Sequence, residues 1–354
     1  MGYTRHICIV DTRKLSMKNH LKYKFAALSV LLTLLSLYGC TKEEATGGEG
    51  DYTSIRISTP MLDGYTKALN ADDYETIINT LRVIVAPQDF ATSGEVYANV
   101  LFKDNSLDNM VIENIPVGTV QIYVFANESS VGKNYDNIAD FRRDVDAENG
   151  KLLIIDLERS HFPKRGSEAD KALGLPMSWS DQNVTINEPD GSGTPQEIKV
   201  ELRRCVAKLR ILMNNTLSED ITVEEMKFGN FFGDRFYLFW TRNLDVPSSI
   251  SYEEKVYSGL KIPVTAGGSA ELLLYLYPSH ARTSTWVSPY TIGFTTSKKT
   301  YDMQHFLEGS NPLNWISRNT QVNIIATLGA NANITIKYYV DKWDKKEITV
   351  PPFN

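Results

Sequence analysis

The stretch IKVELRRCVAKLRILM, Ile198–Met213, alternates apolar and polar residues, and the alternation changes phase partway along. Ile198, Val200 and Leu202 share one parity, whereas Cys205, Ala207, Leu209, Ile211 and Met213 share the other. Alternation with period 2 belongs to a strand that buries one face, and a slip of one residue turns every side chain to the opposite face. A bulge or a change of sheet is therefore expected around Arg203 and Arg204, with Cys205 on the inward parity.

The same signature recurs along the chain. In LRVIVAP (Leu81–Pro87) Leu81, Val83 and Val85 share a face; in VYANVLF, Val96, Ala98, Val100 and Phe102 do; in TVQIYVFAN, Val120, Ile122, Val124 and Ala126 do. KLLIIDL (Lys151–Leu157) is apolar on both parities, as a central strand would be. DNIADFRRDV (Asp136–Val145) has Ile138, Phe141, Arg142 and Val145 near helical spacing and predicts one helix. ITVEEMKF, RFYLFW, AELLLYLYP, YTIGFTT, QVNIIATL, ITIKYYV and EITV carry the strand pattern through the second half. The architecture expected is all-β, two antiparallel β-sandwiches of about seven strands each with few short helices. NEPDGSGTPQE (Asn187–Glu197) concentrates Pro, Gly, Ser and Asp, so the division is placed there, with domains over residues 52–192 and 193–354.

The N-terminal region reads differently. Phe25–Tyr38 is mostly apolar and would make about 21 Å of helix, short of a hydrocarbon core roughly 30 Å thick. Lys18, Lys22 and Lys24 precede it and Gly39-Cys40 follows, the basic, apolar, small-residue order of a secretory signal peptide. Met17 is an alternative start. Leu37 and Gly39 before Cys40 resemble the lipobox of bacterial lipoproteins, in which the cysteine is lipidated; an ordinary signal peptide with a chance cysteine is the other reading. The signal is assigned to residues 1–39, and residues 40–51, rich in Gly and Glu, read as a flexible tether. With Cys8 and Cys40 in or at the signal, only Cys205 remains in the folded part, which leaves no internal disulfide framework.

Charge narrows the function classes. Taking the six Lys or Arg and one Asp of Met1–Gly39 from the chain's 37 basic and 43 acidic residues leaves a body of net charge about −11. An acidic body does not suit nucleic acid. His161, His280 and His305 are isolated from one another, and H-E-x-x-H, C-x-x-C, G-x-S-x-G and P-loop motifs are absent, so no cofactor, metal or catalytic residue is expected. KDNSLDN (Lys103–Asn109) fails the EF-hand spacing and reads as a turn. The aromatic runs FGNFFGDRFYLFW (Phe228–Trp240) and YLYPSHARTSTW (Tyr275–Trp286) read either as sandwich core or as a glycan-stacking platform.

The lipoprotein-type signal, INTLRVIVAP, VGTVQIYVFANES, LGLPMSW and VELRRCVAKLRI, in that order, resemble the fimbrillins of Bacteroidales, the FimA and Mfa type of pilin. The likeness covers most of residues 50–213, and the closing YVDKWDKKEITVPPF is similar to that group's C-terminal segment. It implies two transthyretin-like β-sandwich domains, export to the outer membrane with lipid on Cys40, and polymerisation with other fimbrial subunits by strand exchange. It further implies a surface protease that removes the first strand, here Asp51–Lys67, by cutting between Lys67 and Ala68. Lys67 stands where the best-known members carry arginine; Arg56 is a second basic position, too early to release a whole strand. The donor strand is carried over to Tyr339–Phe353, with Val340, Trp343, Ile348 and Val350 filling a neighbour's groove. The alternatives are an uncleaved subunit whose terminal strands complete its own sheets, as at a fimbrial tip or base, and a surface glycan-binding lipoprotein using Trp240 or Trp286.

Overall fold

The computed structural model describes residues 52–59, 75–146, 151–154, 172–239, 246–247, 250–281, 287–308, 311–331 and 334–343. Among them the chain is all-β, with two short helices, α1 (Phe90–Ser93) and α2 (Ile138–Arg143). The helix expected within Asp136–Val145 is thus present, started by Asn137, whose side chain accepts from the Ala139 N–H.

The first half contributes β1 (Tyr52–Ser58), β2 (Thr80–Ala86), β3 (Ala98–Lys103), β4 (Val111–Pro116), β5 (Gly118–Ala126), β6 (Met177–Ile186) and β7 (Gln196–Lys199). They form a small sheet of order β4-β1-β7 and a larger one of order β6-β5-β2-β3, which Arg203–Arg204 extends beside β6. The second half contributes β8 (Ala207–Asn215), β9 (Ile221–Gly233), β10 (Tyr252–Val264), β11 (Ser269–Leu276), β12 (Thr291–Thr296), β13 (Thr300–His305), β14 (Thr320–Leu328) and β15 (Thr335–Lys342). Their two four-stranded sheets have the orders β11-β8-β14-β15 and β10-β9-β12-β13.

Most neighbours run antiparallel, but β1 with β7 and β8 with β14 run parallel. A parallel pair cannot be closed by a hairpin, so each joins strands separated by a long excursion of chain. The phase slip at Arg203–Arg204 has the meaning its alternation predicts. Arg203–Arg204 pair with β6 in one sheet, and from Ala207 the chain runs in another. In β8 every second residue, Ala207 through Asn215, is buried. Cys205 faces inward, and burial pushes its thiol pKa up, against the pull of Arg318 and of Ser178.

Two hydrophobic cores result, and the chain passes from one to the other between Val206 and Ala207. The exposed stretch 187–195 lies earlier, between β6 and β7 of the first core. The first core is completed by residues from the second half: Phe236, Leu238, Phe239, Tyr275, Tyr277 and Trp343. Phe239 meets Tyr123 edge-on at 5.2 Å, and Phe236–Tyr237 pair with Lys151–Ile154, the middle strand of a three-stranded ribbon.

Strand β2 is more buried than a one-sided strand. Leu81, Val83 and Val85 enter the core as their parity predicts, yet Arg82 on the other face is only 2% exposed. Its guanidinium holds Glu128 through two bonds of 2.7 Å and Asp136 through one of 2.6 Å, closing the loop of residues 127–137 over the sheet. A charge this deep survives only when paired and hydrogen-bonded. The segment read as a turn, KDNSLDN, forms a short 3-10 turn at Asp104–Asp108 between β3 and β4.

Candidate functional site

The candidate site consists of the two terminal strands and what holds each in place. Strand β1 carries Ile55 and Ile57 at alternate positions, 0% and 2% exposed, with Arg56 between them facing solvent. It runs antiparallel to β4, pairing Ile55 with Ile112 and Arg56 with Val111, and parallel to β7, pairing Ile57 with Ile198. Further bonds lock its end: Ile57 N–H donates to the Met110 carbonyl at 2.9 Å, and Val200 N–H to the Ser58 carbonyl at 2.8 Å. Both backbone edges of β1 are thus occupied, and its apolar face lies on Met110, Ile112, Ile115, Ile198 and Val200 of the first core.

Among the described residues, strand β15 pairs with another strand on one side only. It pairs with β14 from Thr335 opposite Thr327 to Lys342 opposite Thr320, and it is the outermost strand of its sheet. Tyr338 is buried in the second core, whereas Tyr339 on the other face and Val340 on the same face as Tyr338 are both exposed, Val340 at 49%. Of the residues expected to serve as donor positions, Val340 therefore sits on an open edge.

Trp343, directly after β15, is 7% exposed. Its ring stacks on Tyr275 at 5.7 Å and 11°, with the Arg204 guanidinium 4.7 Å from the ring centre. Its indole N–H donates to Glu75 Oε2 at 2.6 Å. The other carboxylate oxygen, Oε1, accepts from the Tyr275 hydroxyl at 2.6 Å and from Lys208 Nζ at 2.7 Å. Arg204 Nε donates to the Glu75 carbonyl at 2.9 Å and its Nη1 to Asn319 Oδ1 at 3.1 Å. Burial works to raise the Glu75 pKa, but the bonds and charge of Lys208, Tyr275 and Trp343 outweigh it and leave the carboxyl below its ordinary value.

Cys40, Lys67, Ala68, Ile348 and Val350 lie outside the described residues, as do Asp51, His161, Trp240 and Trp286. Both aromatic runs are interior where described. Phe228, Phe231 and Phe232 pack in the second core, and Phe236, Phe239, Tyr275 and Tyr277 in the first. His280 and His305 are used locally: the His280 N–H donates to the Tyr252 hydroxyl, and His305 Nδ1 lies 2.7 Å from the Ser288 carbonyl. Among the described residues no three His, Cys, Asp or Glu side chains gather to hold a metal ion, and no helix is long and apolar enough to cross a membrane.

The sequence reading missed Glu75, Arg204, Lys208 and Tyr275. One signal was present, because Trp343 stands in VDKWDKK, where an indole among charges requires a cover from elsewhere.

The model of the family of fimbrillin-A associated anchor proteins Mfa1 and Mfa2 matches residues 48–349. No curated protein matches the chain in sequence. Among solved structures, the tip fimbrial protein Mfa3 of Porphyromonas gingivalis, with a C-terminal truncation, superposes with a TM-score of 0.50 at 15% identity. That match covers 83% of this chain and 99% of the other, and shows a shared fold. The fimbrial anchor protein Mfa2 of the same organism gives 0.44 at 11% identity, covering 82% and 97%. A fimbrial assembly protein of Parabacteroides distasonis gives 0.44 at 12%, covering 84% and 97%.

Proposed function

The chain belongs to the family of fimbrillin-A associated anchor proteins Mfa1 and Mfa2, and from that premise we propose that it is a structural subunit of a surface fimbrium, assembled by strand exchange. Its role is adhesion and support, with other fimbrial subunits as partners. It is exported as an outer-membrane lipoprotein through Cys40 and processed by a surface protease between Lys67 and Ala68.

The observation that carries this reading is the place of β1 in its sheet. A strand paired on both sides leaves, on departure, two rows of unpaired N–H and C=O groups and an uncovered apolar strip. Only another strand with alternating apolar residues satisfies all three. Lys67 lies nine residues beyond the end of β1, so a cut there frees the strand with the lipid-bearing Cys40. The incoming strand would come from the C-terminal segment of a neighbour, Tyr339–Phe353.

The test is N-terminal sequencing of protein recovered from the cell surface, with the Lys67→Ala variant in parallel. Wild type is expected to begin at Ala68 and to form ladders in undenatured gels. Lys67→Ala is expected to keep a blocked, lipidated Cys40 and to remain monomeric. Ladders of ordinary length from Lys67→Ala would overturn the processing step.

A further inference from the structure

Glu75 gathers stretches of chain that are far apart in sequence: the start of β8 through Lys208, the end of β11 through Tyr275, and the end of β15 through Trp343. It also stands eight residues after Lys67, so it remains with the chain that a cut there would leave. We propose that Glu75 is the latch that keeps the C-terminal strand on its own subunit, and that opening this latch is the step that makes the strand available to a neighbour. The inference rests on the strand-exchange reading and adds to it a named control residue.

Two features of the geometry support a latch rather than a fixed joint. First, β15 is the edge strand of its sheet among the described residues, with Tyr339 and Val340 exposed, so beyond its single ladder, the packing of Ile336 and Tyr338 and the Asn323–Asp341 bond it is fastened at its end by the indole that follows it. Second, the socket survives the loss of that indole. With Trp343 gone, Glu75 keeps Lys208 and Tyr275 on its other oxygen, and Arg204 keeps the Glu75 carbonyl and Asn319. Opening therefore strands no buried charge, the condition that makes breaking most buried pairs costly.

The test uses full-length Glu75→Gln and Trp343→Phe. The phenyl ring still covers Tyr275 but has no N–H to give, which separates the bond from the packing. Loss of a hydrogen bond to a charged group is expected to speed native-state amide exchange across Thr335–Lys342 about tenfold or more. Exchange in β2 and β5 should stay within about twofold, as expected for a local opening. Processed protein from cells producing Glu75→Gln, whose donor strand is unaltered, should form ladders sooner than processed wild type. Unchanged exchange in β15 overturns the latch. Faster exchange with ladders appearing at the wild-type rate also overturns it, while leaving strand exchange standing. Absence of ladders from processed wild type overturns strand exchange itself, and the latch with it. Should Glu75→Gln fail to fold, Trp343→Phe decides through the exchange of Thr335–Lys342 in the monomer, where its place in the donor strand does not enter.

Discussion

Strands β1 and β15 both lie near chain ends and both alternate, yet they are held in opposite ways. Strand β1 is the middle of three, bonded along both edges and buried through Ile55 and Ile57. Strand β15 is the last of four, bonded along one edge and tied at its end by a single indole. A middle strand is hard to remove without cutting the chain, and its absence leaves a specific vacancy. An edge strand detaches at lower cost and leaves its sheet intact. That difference is what the proposed strand exchange needs of an acceptor position and of a donor.

Predictions that break or sharpen this contrast fall in order of size. Ile55→Ala removes a fully buried side chain from β1 and is expected to cost about 2–5 kcal/mol in denaturant unfolding. A cost below about 1 kcal/mol would mean that β1 is not an integral part of the first core.

Acid gives the next effect. The folded Glu75 carboxyl lies below its reference value of 4.5, so its contribution to stability is present above pH 4.5 and is lost as pH falls through the folded pKa. The wild-type advantage in unfolding midpoint over Glu75→Gln should therefore be constant above that pH and narrow below it. A gap that widens in acid would reverse the sign and with it the ionised state assigned here.

The smallest effect belongs to Val340, on the open edge. Val340→Thr is expected to change monomer stability by no more than about 0.5 kcal/mol. The same variant should weaken ladder formation, where the proposed donor role buries the side chain. A monomer cost equal to that of Ile55→Ala would erase the distinction between the two strands.

Strands and their inward faces were legible wherever alternation was clean, as in β8 and in the phase slip before it, because period 2 is a local property. The second burial of β2 was not. Arg82 looked solvent-facing, and its partners Glu128 and Asp136 come from a loop more than forty residues away. The parallel pairings were equally hidden, since nothing in β8 names β14 as its neighbour. For the site, Val340 and Trp343 came into view only through the resemblance to the fimbrillins, and Trp343's partners at residues 75, 204, 208 and 275 were set by topology. The aromatic runs show the limit of composition: surface platform and core have the same residue types, and only the fold placed the described aromatics, Phe228 to Phe239 and Tyr275 to Tyr277, inside.

The supply of Phe236, Phe239, Tyr275, Tyr277 and Trp343 to the first core has a consequence for the order of events in the life of the chain. A polypeptide that emerges N-terminus first completes β1 to β7 long before these residues appear, and contacts of such sequence separation form late. The front half therefore waits, unfinished, until residues as late as Trp343 have followed it. The first core closes only when the second half has arrived, so a chain broken off in synthesis before Trp343 leaves that core incomplete.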